Sequence, residues 1–284
     1  IVPSNTYIAT ILAVMQAGHK PVLVEPDLKT YNIDPTLIEA AITSSTRAIM
    51  IVHLYGKSCE MSRIISLCEK YNIALIEDCA QAHGTKYNGK AVGTFGIGAF
   101  SFYPTKNLGA LGDAGAVITQ DEKIFNELRM LRNYGSQKKY YNERIGYNSR
   151  LDEIQAAMLK VKLKYLNAIV EHKRKLAARY FDALTDEVIK PSQEAHLFDS
   201  FHIFSIRTSR REQLREWLLK KEIKTEVHYP VAPMNQVAME GLFDEGSFPI
   251  AEEIHRTTLS LPISFANSEA EIDQVVSAVN GFFK

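Results

Sequence analysis

The sequence predicts an α/β protein: a three-layer αβα large domain with a mainly parallel sheet, followed by a smaller C-terminal α+β domain. In the first half of the chain, short apolar runs alternate with stretches whose apolar residues have helical spacing. Such strands, separated by helices, form parallel sheets that are covered on both faces. Beyond about residue 165 the pattern changes to alternating polarity and amphipathic helices. We therefore expect the two domains to span residues 1–164 and 165–284.

The elements of the large domain can be assigned in chain order. The first helix is expected over residues 6–17, and Gly18 follows it as a C-cap residue. Asp34 and Pro35 form an N-cap and N1 pair that favours a helix at residues 37–41. The other expected elements are helices at residues 62–71 and 122–133, the second capped by Asp121, and strands at residues 21–24, 47–53, 74–77, 97–103 and 115–119.

The smaller domain is predicted from a second set of patterns. A nearly continuous helical pattern covers residues 151–184. Residues 202–207 alternate like a half-buried strand, and residues 211–221 form an amphipathic helix. A capping-box pattern at residues 268–271 precedes a closing helix that ends at Phe283.

Composition argues against several classes of function. The chain has 284 residues, with 33 Lys plus Arg and 33 Asp plus Glu, so its formal net charge is zero. Nucleic acids and anionic membranes attract proteins with a basic surplus, so we expect neither as a partner. No apolar run approaches the roughly 18 residues of a membrane span. The three cysteines cannot all pair and match no zinc motif, which favours a reducing cytoplasm.

Two strand ends carry candidate functional groups, because sheets of this kind bind ligands at the carboxyl ends of their strands. Asp78 follows one buried strand, where it is either a satisfied structural acid or a counter-charge for a cationic ligand. Ser101 and Tyr103 lie two apart on another strand and should share a face. Lys106 follows in a turn rich in small residues. Such a lysine can attack a carbonyl group, although most lysines are merely exposed.

A third candidate segment is residues 146–152, which precede the long helical pattern. Asn148 and Ser149 are residue types that often cap helices, and capping alone is sufficient to explain them.

Together these segments resemble the sugar-nucleotide aminotransferases of the DegT/DnrJ/EryC1/StrS family, which are pyridoxal-phosphate (PLP) enzymes of fold type I. The resemblance covers essentially the whole chain and implies that fold. The segments that carry it are residues 3–7, 77–84, 101–115, 146–155, 228–230 and 259–262.

The resemblance implies roles for the residues around the cofactor ring. Lys106 matches the lysine that attaches to the cofactor and shuttles a proton. Asp78 matches the partner of the pyridine nitrogen, which a carboxylate keeps protonated. Gln81 matches the residue that packs on or hydrogen-bonds to the ring, and Tyr7 matches the aromatic residue on its other face.

Further roles concern the cofactor phosphate and the substrate. Ser101 matches a hydroxyl donor to the phosphate, and Asn148 matches a phosphate ligand from the neighbouring subunit, which implies a homodimer with shared sites. For the sugar we select Tyr103, His228 and Tyr229, each of which is as readily explained as a structural residue. Family members begin with a Gly-Thr-Ala phosphate loop that this sequence lacks, and we expect that an upstream segment is missing from it.

The resemblance also suggests a reaction. Residues 106–115 and 133–140 are similar to members that act on C3 of dTDP-3-keto-6-deoxyhexoses in deoxyamino-sugar biosynthesis. The implied donor is L-glutamate, which converts PLP to its amine form, PMP, before the sugar ketone receives the amine. The alternatives are transfer to C4 of a UDP- or GDP-linked sugar and a non-catalytic relative. Some relatives have histidine at the lysine position and perform dehydration, so Lys106 favours transfer.

Other cofactors are disfavoured by the sequence. Residues 93–98 contain glycines in the wrong order for a nicotinamide-binding loop. The eight histidines show no metal-ligand spacing, and His53 and His83 are interpreted as hydrogen-bonded structural residues. We therefore expect no metal site.

Overall fold

The computed structural model describes residues 1–244 and 246–284 and confirms the α/β prediction. Its helices are α1 (Ile8–Gln16), α2 (Met61–Tyr71), α3 (Glu122–Leu131), α4 (Glu153–Leu163), α5 (Leu166–Ala183), α6 (Arg211–Leu219), α7 (Pro249–Thr257) and α8 (Glu269–Phe282). Its strands are β1 (Val2–Pro3), β2 (Leu23–Val24), β3 (Ala48–Val52), β4 (Ala74–Asp78), β5 (Lys86–Tyr87), β6 (Lys90–Ala91), β7 (Ile97–Ser101), β8 (Gly115–Ile118), β9 (Ser136–Lys138), β10 (Tyr141–Asn142), β11 (Leu197–Phe198), β12 (Phe204–Arg207) and β13 (Thr258–Leu261).

The sheet that positions the candidate site has the strand order β3-β4-β7-β8. The pairs β3·β4 and β4·β7 are parallel, whereas β8 pairs with β7 in the antiparallel direction. In this register Asp78 lies beside Ala99, so β4 and β7 end at the same edge. The predicted mainly parallel sheet therefore brings two of the predicted strand ends together.

The first core lies between this sheet and α2. The buried residues of α2 are Met61, Ile64, Leu67 and Cys68, which have the spacing of one helical face. They form one cluster with sheet residues such as Ile49. This packing holds the sheet against its helical layer.

A second core lies in the C-terminal part of the chain. It runs from Leu176 to Val279 and includes the antiparallel pair β12·β13. Tyr180 and Phe204 are both fully buried there, with ring centroids 4.7 Å apart. The capping box at the start of α8 is present, as predicted. The domain boundary at residues 164/165 stays a prediction.

The structure corrects the prediction of one long helix over residues 151–184. The helical pattern is divided into α4 and α5 at Lys164 and Tyr165. The backbone N–H groups of these two residues bond to carbonyls three positions earlier, at 3.2 and 2.9 Å, which tightens and ends α4. Apolar periodicity continues through this turn, so it did not reveal the break.

The predicted half-burial of residues 202–207 is also wrong. All four residues of β12 are buried, including Arg207. The Arg207 guanidinium donates to Glu253 at 3.1 Å and lies over the Tyr31 ring at 5.7 Å. These partners lie far away in sequence, so local alternation could not indicate them.

Two local predictions fail as well. Residues 37–41 contain only a 3₁₀ turn, Glu39–Ala41. Asn148 and Ser149 do not cap α4, because Asp152 occupies the N-cap position. The other predicted elements are present with shifted ends. Within the described part of the chain, no helix combines the length and the apolar character needed to cross a membrane.

Candidate active site

A cleft of about 540 Å³ opens at the carboxyl ends of β4 and β7. Asp78 is the last residue of β4, Ser101 is the last residue of β7, and Lys106 lies in the turn that follows. The predicted site residues that line the cleft are Tyr7, Asp78, Gln81, Ser101, Tyr103, Lys106, His228 and Tyr229.

Asp78 is half-buried and fixed through both carboxylate oxygens. Its Oδ1 accepts the backbone N–H of Ala80 at 3.0 Å. Its Oδ2 accepts the hydroxyl of Thr10 at 2.9 Å, and the Thr10 hydroxyl lies 2.9 Å from that of Thr6. The carboxylate therefore has a defined orientation within the cleft.

Glu77, the residue before it, anchors the same strand end from the buried side. Its carboxylate accepts N–H groups of Gly93, Phe95 and Gly96 at 2.7 to 2.8 Å and contacts His53 Nε2 at 3.0 Å. Burial alone would raise the pKa of Glu77, but these hydrogen bonds hold it below its usual value. An ionised Glu77 thus ties β4 to the loop before β7.

Lys106 lies in a turn whose next residue, Asn107, makes buried hydrogen bonds. Burial lowers the pKa of its amine, and the negative charge of Asp78 opposes that shift. The next residue, Asn107, donates to the carbonyl of Ser200 at 3.2 Å and accepts from Lys173 Nζ at 2.8 Å. Lys173 also donates to the carbonyl of His202 at 3.0 Å. A lysine with a lowered pKa has a larger fraction of neutral, nucleophilic amine at neutral pH.

A hydrogen-bonded chain connects Gln81 to the C-terminal part of the cleft. Gln81 accepts the backbone N–H of Tyr55 at 2.7 Å and donates to the Tyr229 hydroxyl at 2.8 Å. The Tyr229 ring lies 5.1 Å from that of Tyr7. The Tyr55 hydroxyl in turn bonds to the carbonyl of His228. One wall of the cleft is thus built from three distant parts of the sequence.

His228 and Tyr103 differ in how firmly they are held. His228 Nδ1 lies 2.9 Å from Ser260 Oγ, and burial lowers its pKa. Tyr103 lies beyond the end of β7, its N–H donates to Ser101 Oγ at 3.3 Å, and it is 49% exposed. His228 is therefore both hydrogen-bonded and a cleft residue, and Tyr103 stands at the cleft mouth.

Comparison with known proteins identifies the family. The sequence matches the DegT/DnrJ/EryC1/StrS aminotransferase family over residues 1–280. The chain belongs to this family. It is 51% identical over 287 residues to a dTDP-3-amino-3,6-dideoxy-alpha-D-galactopyranose transaminase of Aneurinibacillus thermoaerophilus, with 99% of this chain and 78% of the relative covered. It is 41% identical to a pleiotropic regulatory protein of Geobacillus stearothermophilus, with 100% of this chain and 78% of the relative covered.

Solved structures agree with the sequence match. DesV of S. venezuelae, solved in complex with a ketimine intermediate, superimposes with a TM-score of 0.97 at 42% identity, covering 99% of this chain and 77% of that one. Other matched relatives are named for UDP- or GDP-linked sugars. This member of the DegT/DnrJ/EryC1/StrS family is accordingly a PLP-dependent sugar aminotransferase by class.

Several cleft residues of this family member were not predicted. Thr6, Thr10, His202 and Asp113 also line the cleft. Burial holds the pKa of His202 well below its usual value, and its Nδ1 has no hydrogen-bond partner among the described residues. The four-residue spacing of Thr6 and Thr10 was the only local signal, and it is common in helices.

Asn148 does not line the cleft of its own protomer. It is exposed, and its Oδ1 accepts from Arg150 Nε at 3.0 Å. The role predicted for it belongs to a neighbouring subunit and stays a prediction.

One buried group has the ligand types of a metal site. Ligand atoms of His53, Glu77 and Cys79 lie within 4.8 Å of one another. However, Cys59 N–H donates to His53 Nδ1 at 3.1 Å, and Glu77 already accepts three backbone N–H groups. Hydrogen bonding therefore accounts for the positions of the His53 and Glu77 side chains. All three cysteines are free and buried.

Proposed function

We propose that this chain binds PLP in the cleft and transfers an amino group from L-glutamate to C3 of a dTDP-3-keto-6-deoxyhexose. The observation that carries the proposal is the shared cleft of Lys106, with its lowered amine pKa, and the doubly held carboxylate of Asp78. An amine and a fixed acid at adjacent strand ends are the groups that this cofactor needs.

The residues present fit the cofactor. Asp78 would accept a hydrogen bond from the protonated pyridine nitrogen. Gln81 and Tyr7 would lie against the ring, and the Ser101 hydroxyl would donate to the phosphate. Gln81 is suited to this place because the Tyr55 N–H and the Tyr229 hydroxyl fix both ends of its amide. When bound, PLP supplies an electron sink that stabilises negative charge on the substrate carbon.

Lys106 would serve as the catalytic residue. Its Nζ would hold the cofactor and would be the base that takes the proton from the amine-bearing carbon of the donor. Because burial lowers its pKa, Nζ loses its own proton more readily than an exposed lysine does. Tyr103, His228 and Tyr229 are assigned to the sugar substrate, since they line the outer and C-terminal walls of the cleft.

The dTDP-linked C3 ketone is supported by the names of the relatives. A protein 51% identical to this chain is named as a dTDP-3-amino sugar transaminase. Relatives named for UDP- and GDP-linked sugars support another nucleotide carrier. The names of the UDP-linked relatives place the ketone at C3, so C4 transfer to a UDP- or GDP-linked sugar stays the alternative implied by the family resemblance. One relative is named as a pleiotropic regulatory protein, and its name supports the second alternative, that this chain has a non-catalytic role.

We further propose a cytoplasmic homodimer with shared active sites. Exposed apolar side chains cluster after α3, where Tyr140 is 84%, Ile145 99% and Tyr147 68% exposed. Asn148 follows this segment directly and is exposed, so a second copy seated there could contact it. Mixing inactive Asn148→Ala and Lys106→Ala protomers should restore some intact sites. Failure to recover any activity would contradict this arrangement.

The substrate proposal is tested with purified protein, PLP and L-glutamate. We expect a dTDP-3-keto-6-deoxyhexose to yield the 3-amino sugar and 2-oxoglutarate in equal amounts, detected by mass spectrometry. Faster conversion of a UDP- or GDP-linked 4-keto sugar would favour the C4 alternative. Turnover of neither, with PLP bound, would favour the non-catalytic relative. Lys123→Ala, which alters an exposed lysine, is the matched control for Lys106→Ala.

A further inference from the structure

Two hydroxyl groups near the start of α1, those of Thr6 and Thr10, form a hydrogen-bonded chain that ends at the carboxylate of Asp78. Thr10 Oγ1 lies 2.9 Å from Asp78 Oδ2 and 2.9 Å from Thr6 Oγ1. Both threonines are buried, with exposures of 4% and 1%, and both line the cleft. They are not among the residues to which the resemblance assigns a role.

Proton counting fixes the direction of these bonds. An ionised carboxylate has only acceptor sites, so Thr10 must donate its single hydroxyl proton to Asp78. In the contact with Thr6, the Thr10 oxygen then accepts and Thr6 donates. Thr6 thus holds the Thr10 hydroxyl in the orientation that serves Asp78.

This bond is not the ordinary local bond of a helical threonine. A threonine in a helix often bonds back to the carbonyl four residues earlier. Here the partner four residues earlier is the Thr6 hydroxyl, and the other bond crosses to β4, 68 residues away in the chain. The bond therefore fixes the position of α1 relative to the end of β4.

The segment at the start of α1 contributes to the cleft in two ways. Tyr7, which precedes α1 and would face the cofactor ring, lies between Thr6 and Thr10 in the sequence. The same short segment thus supplies the ring-facing aromatic residue and the hydroxyl that orients the pyridine partner. Hydrogen bonds from Ala80 N–H and Thr10 leave Asp78 little freedom to rotate.

We propose that Thr10 is a positioning residue: its hydroxyl, oriented by Thr6, holds the Asp78 carboxylate in the orientation that receives the pyridine nitrogen of PLP. This inference rests on the proposed function, because it assumes that PLP occupies the cleft. Thr10 acts through Asp78 and needs no contact with the cofactor. Its removal should change both the affinity for PLP and the orientation of the bound ring.

The test compares wild type, Thr10→Val, Thr10→Ser and Thr6→Val in the full chain. PLP is titrated into the cofactor-free protein to give a dissociation constant, and the visible circular-dichroism band of bound PLP reports ring orientation. Thr10→Val is nearly isosteric but has no hydroxyl, and we expect it to weaken binding roughly tenfold to a hundredfold and to change the band. Thr10→Ser keeps the hydroxyl and should bind as wild type does. Thr6→Val should have a smaller effect in the same direction.

The outcomes separate this inference from the proposed function. Wild-type affinity and an unchanged band in Thr10→Val would overturn the role of Thr10 while PLP binding stands. A loss in Thr10→Ser equal to that in Thr10→Val would also overturn it, because a retained hydroxyl would then fail to preserve PLP binding. Failure of wild type to bind PLP would overturn both. Urea unfolding checks that each variant is folded, and Thr10→Ala replaces Thr10→Val if the latter does not fold.

Discussion

The side-chain Nε2–H of Gln81 donates a hydrogen bond to the hydroxyl of Tyr229 at 2.8 Å. This bond joins two residues that are 148 positions apart in the chain. The other end of the amide is held by the backbone N–H of Tyr55. This contact connects the end of β4 to the segment after α6. The wall of the cleft is therefore continuous only when both parts of the chain are in place.

A double-mutant cycle with Gln81→Leu and Tyr229→Phe measures this contact. We expect a coupling free energy of about 0.5–1.5 kcal/mol, the range of a net hydrogen bond in a protein. Both single variants should lower the free energy of unfolding, since each leaves a polar group without its partner. Urea unfolding of the four proteins gives the coupling, and strictly additive losses would show that the contact contributes nothing.

Asp78→Asn tests the pyridine partner. The amide keeps the size of the carboxylate but loses the charge that would hold a protonated ring nitrogen. We expect PLP to bind roughly tenfold to a hundredfold more weakly, with the fold intact, because a hydrogen bond to a charged group is worth about 1.5–3 kcal/mol. Asp113→Asn alters another acid of the same cleft and should have a much smaller effect. Equal effects of the two changes would place the pyridine partner elsewhere.

The buried side chain of His83 should make the free energy of unfolding depend on pH. Burial, aided by the positive charge of Lys106, lowers its pKa to about 4. Neither ring nitrogen makes a hydrogen bond of standard geometry with the described residues, so the interpretation of His83 as a hydrogen-bonded residue is wrong. The unfolded chain, in which histidine has a pKa near 6.5, takes up the proton first as pH falls. The free energy of unfolding should therefore decrease from about pH 6.5 towards pH 4, by up to about 1.4 kcal/mol per pH unit from this group.

His83→Gln removes that titration. Chemical unfolding across this pH range should show a shallower slope for the variant than for wild type, whatever its stability at pH 7. His19→Gln, which changes an exposed histidine, should keep the wild-type slope. Parallel slopes in all three proteins would contradict the buried neutral state of His83.

Gly109→Ala tests the turn that carries Lys106. A Cβ at this position would clash with the carbonyl oxygen of Pro104, which is backbone and cannot move aside cheaply. We expect a loss of about 1–3 kcal/mol in the free energy of unfolding, with weaker PLP binding. Gly281→Ala is the control, because nothing lies within 4 Å of its added methyl group and alanine favours the helix. A Gly109→Ala protein as stable as Gly281→Ala would show that the turn tolerates the methyl group.

The sequence predicted that Asp78 and Lys106 lie close together, because parallel strands end at a common edge and each residue follows such a strand. It did not reveal Thr10 or His202. A threonine four residues after another is common in helices, and His202 reaches the cleft only through the packing of distant segments around Lys173. The break between α4 and α5 was missed for a related reason, since apolar spacing continues across Lys164 and Tyr165.

The role of Lys106 is tested most directly by the visible absorption spectrum of the purified protein with PLP, before and after addition of L-glutamate. We expect wild type to show a yellow band that bleaches with glutamate and recovers when a suitable keto sugar is added. Lys106→Ala should bind cofactor yet show no such conversion, whereas Lys123→Ala should behave as wild type. A colourless wild-type protein, or a Lys106→Ala protein that responds to glutamate at the wild-type rate, would contradict the assignment of Lys106 as the catalytic residue.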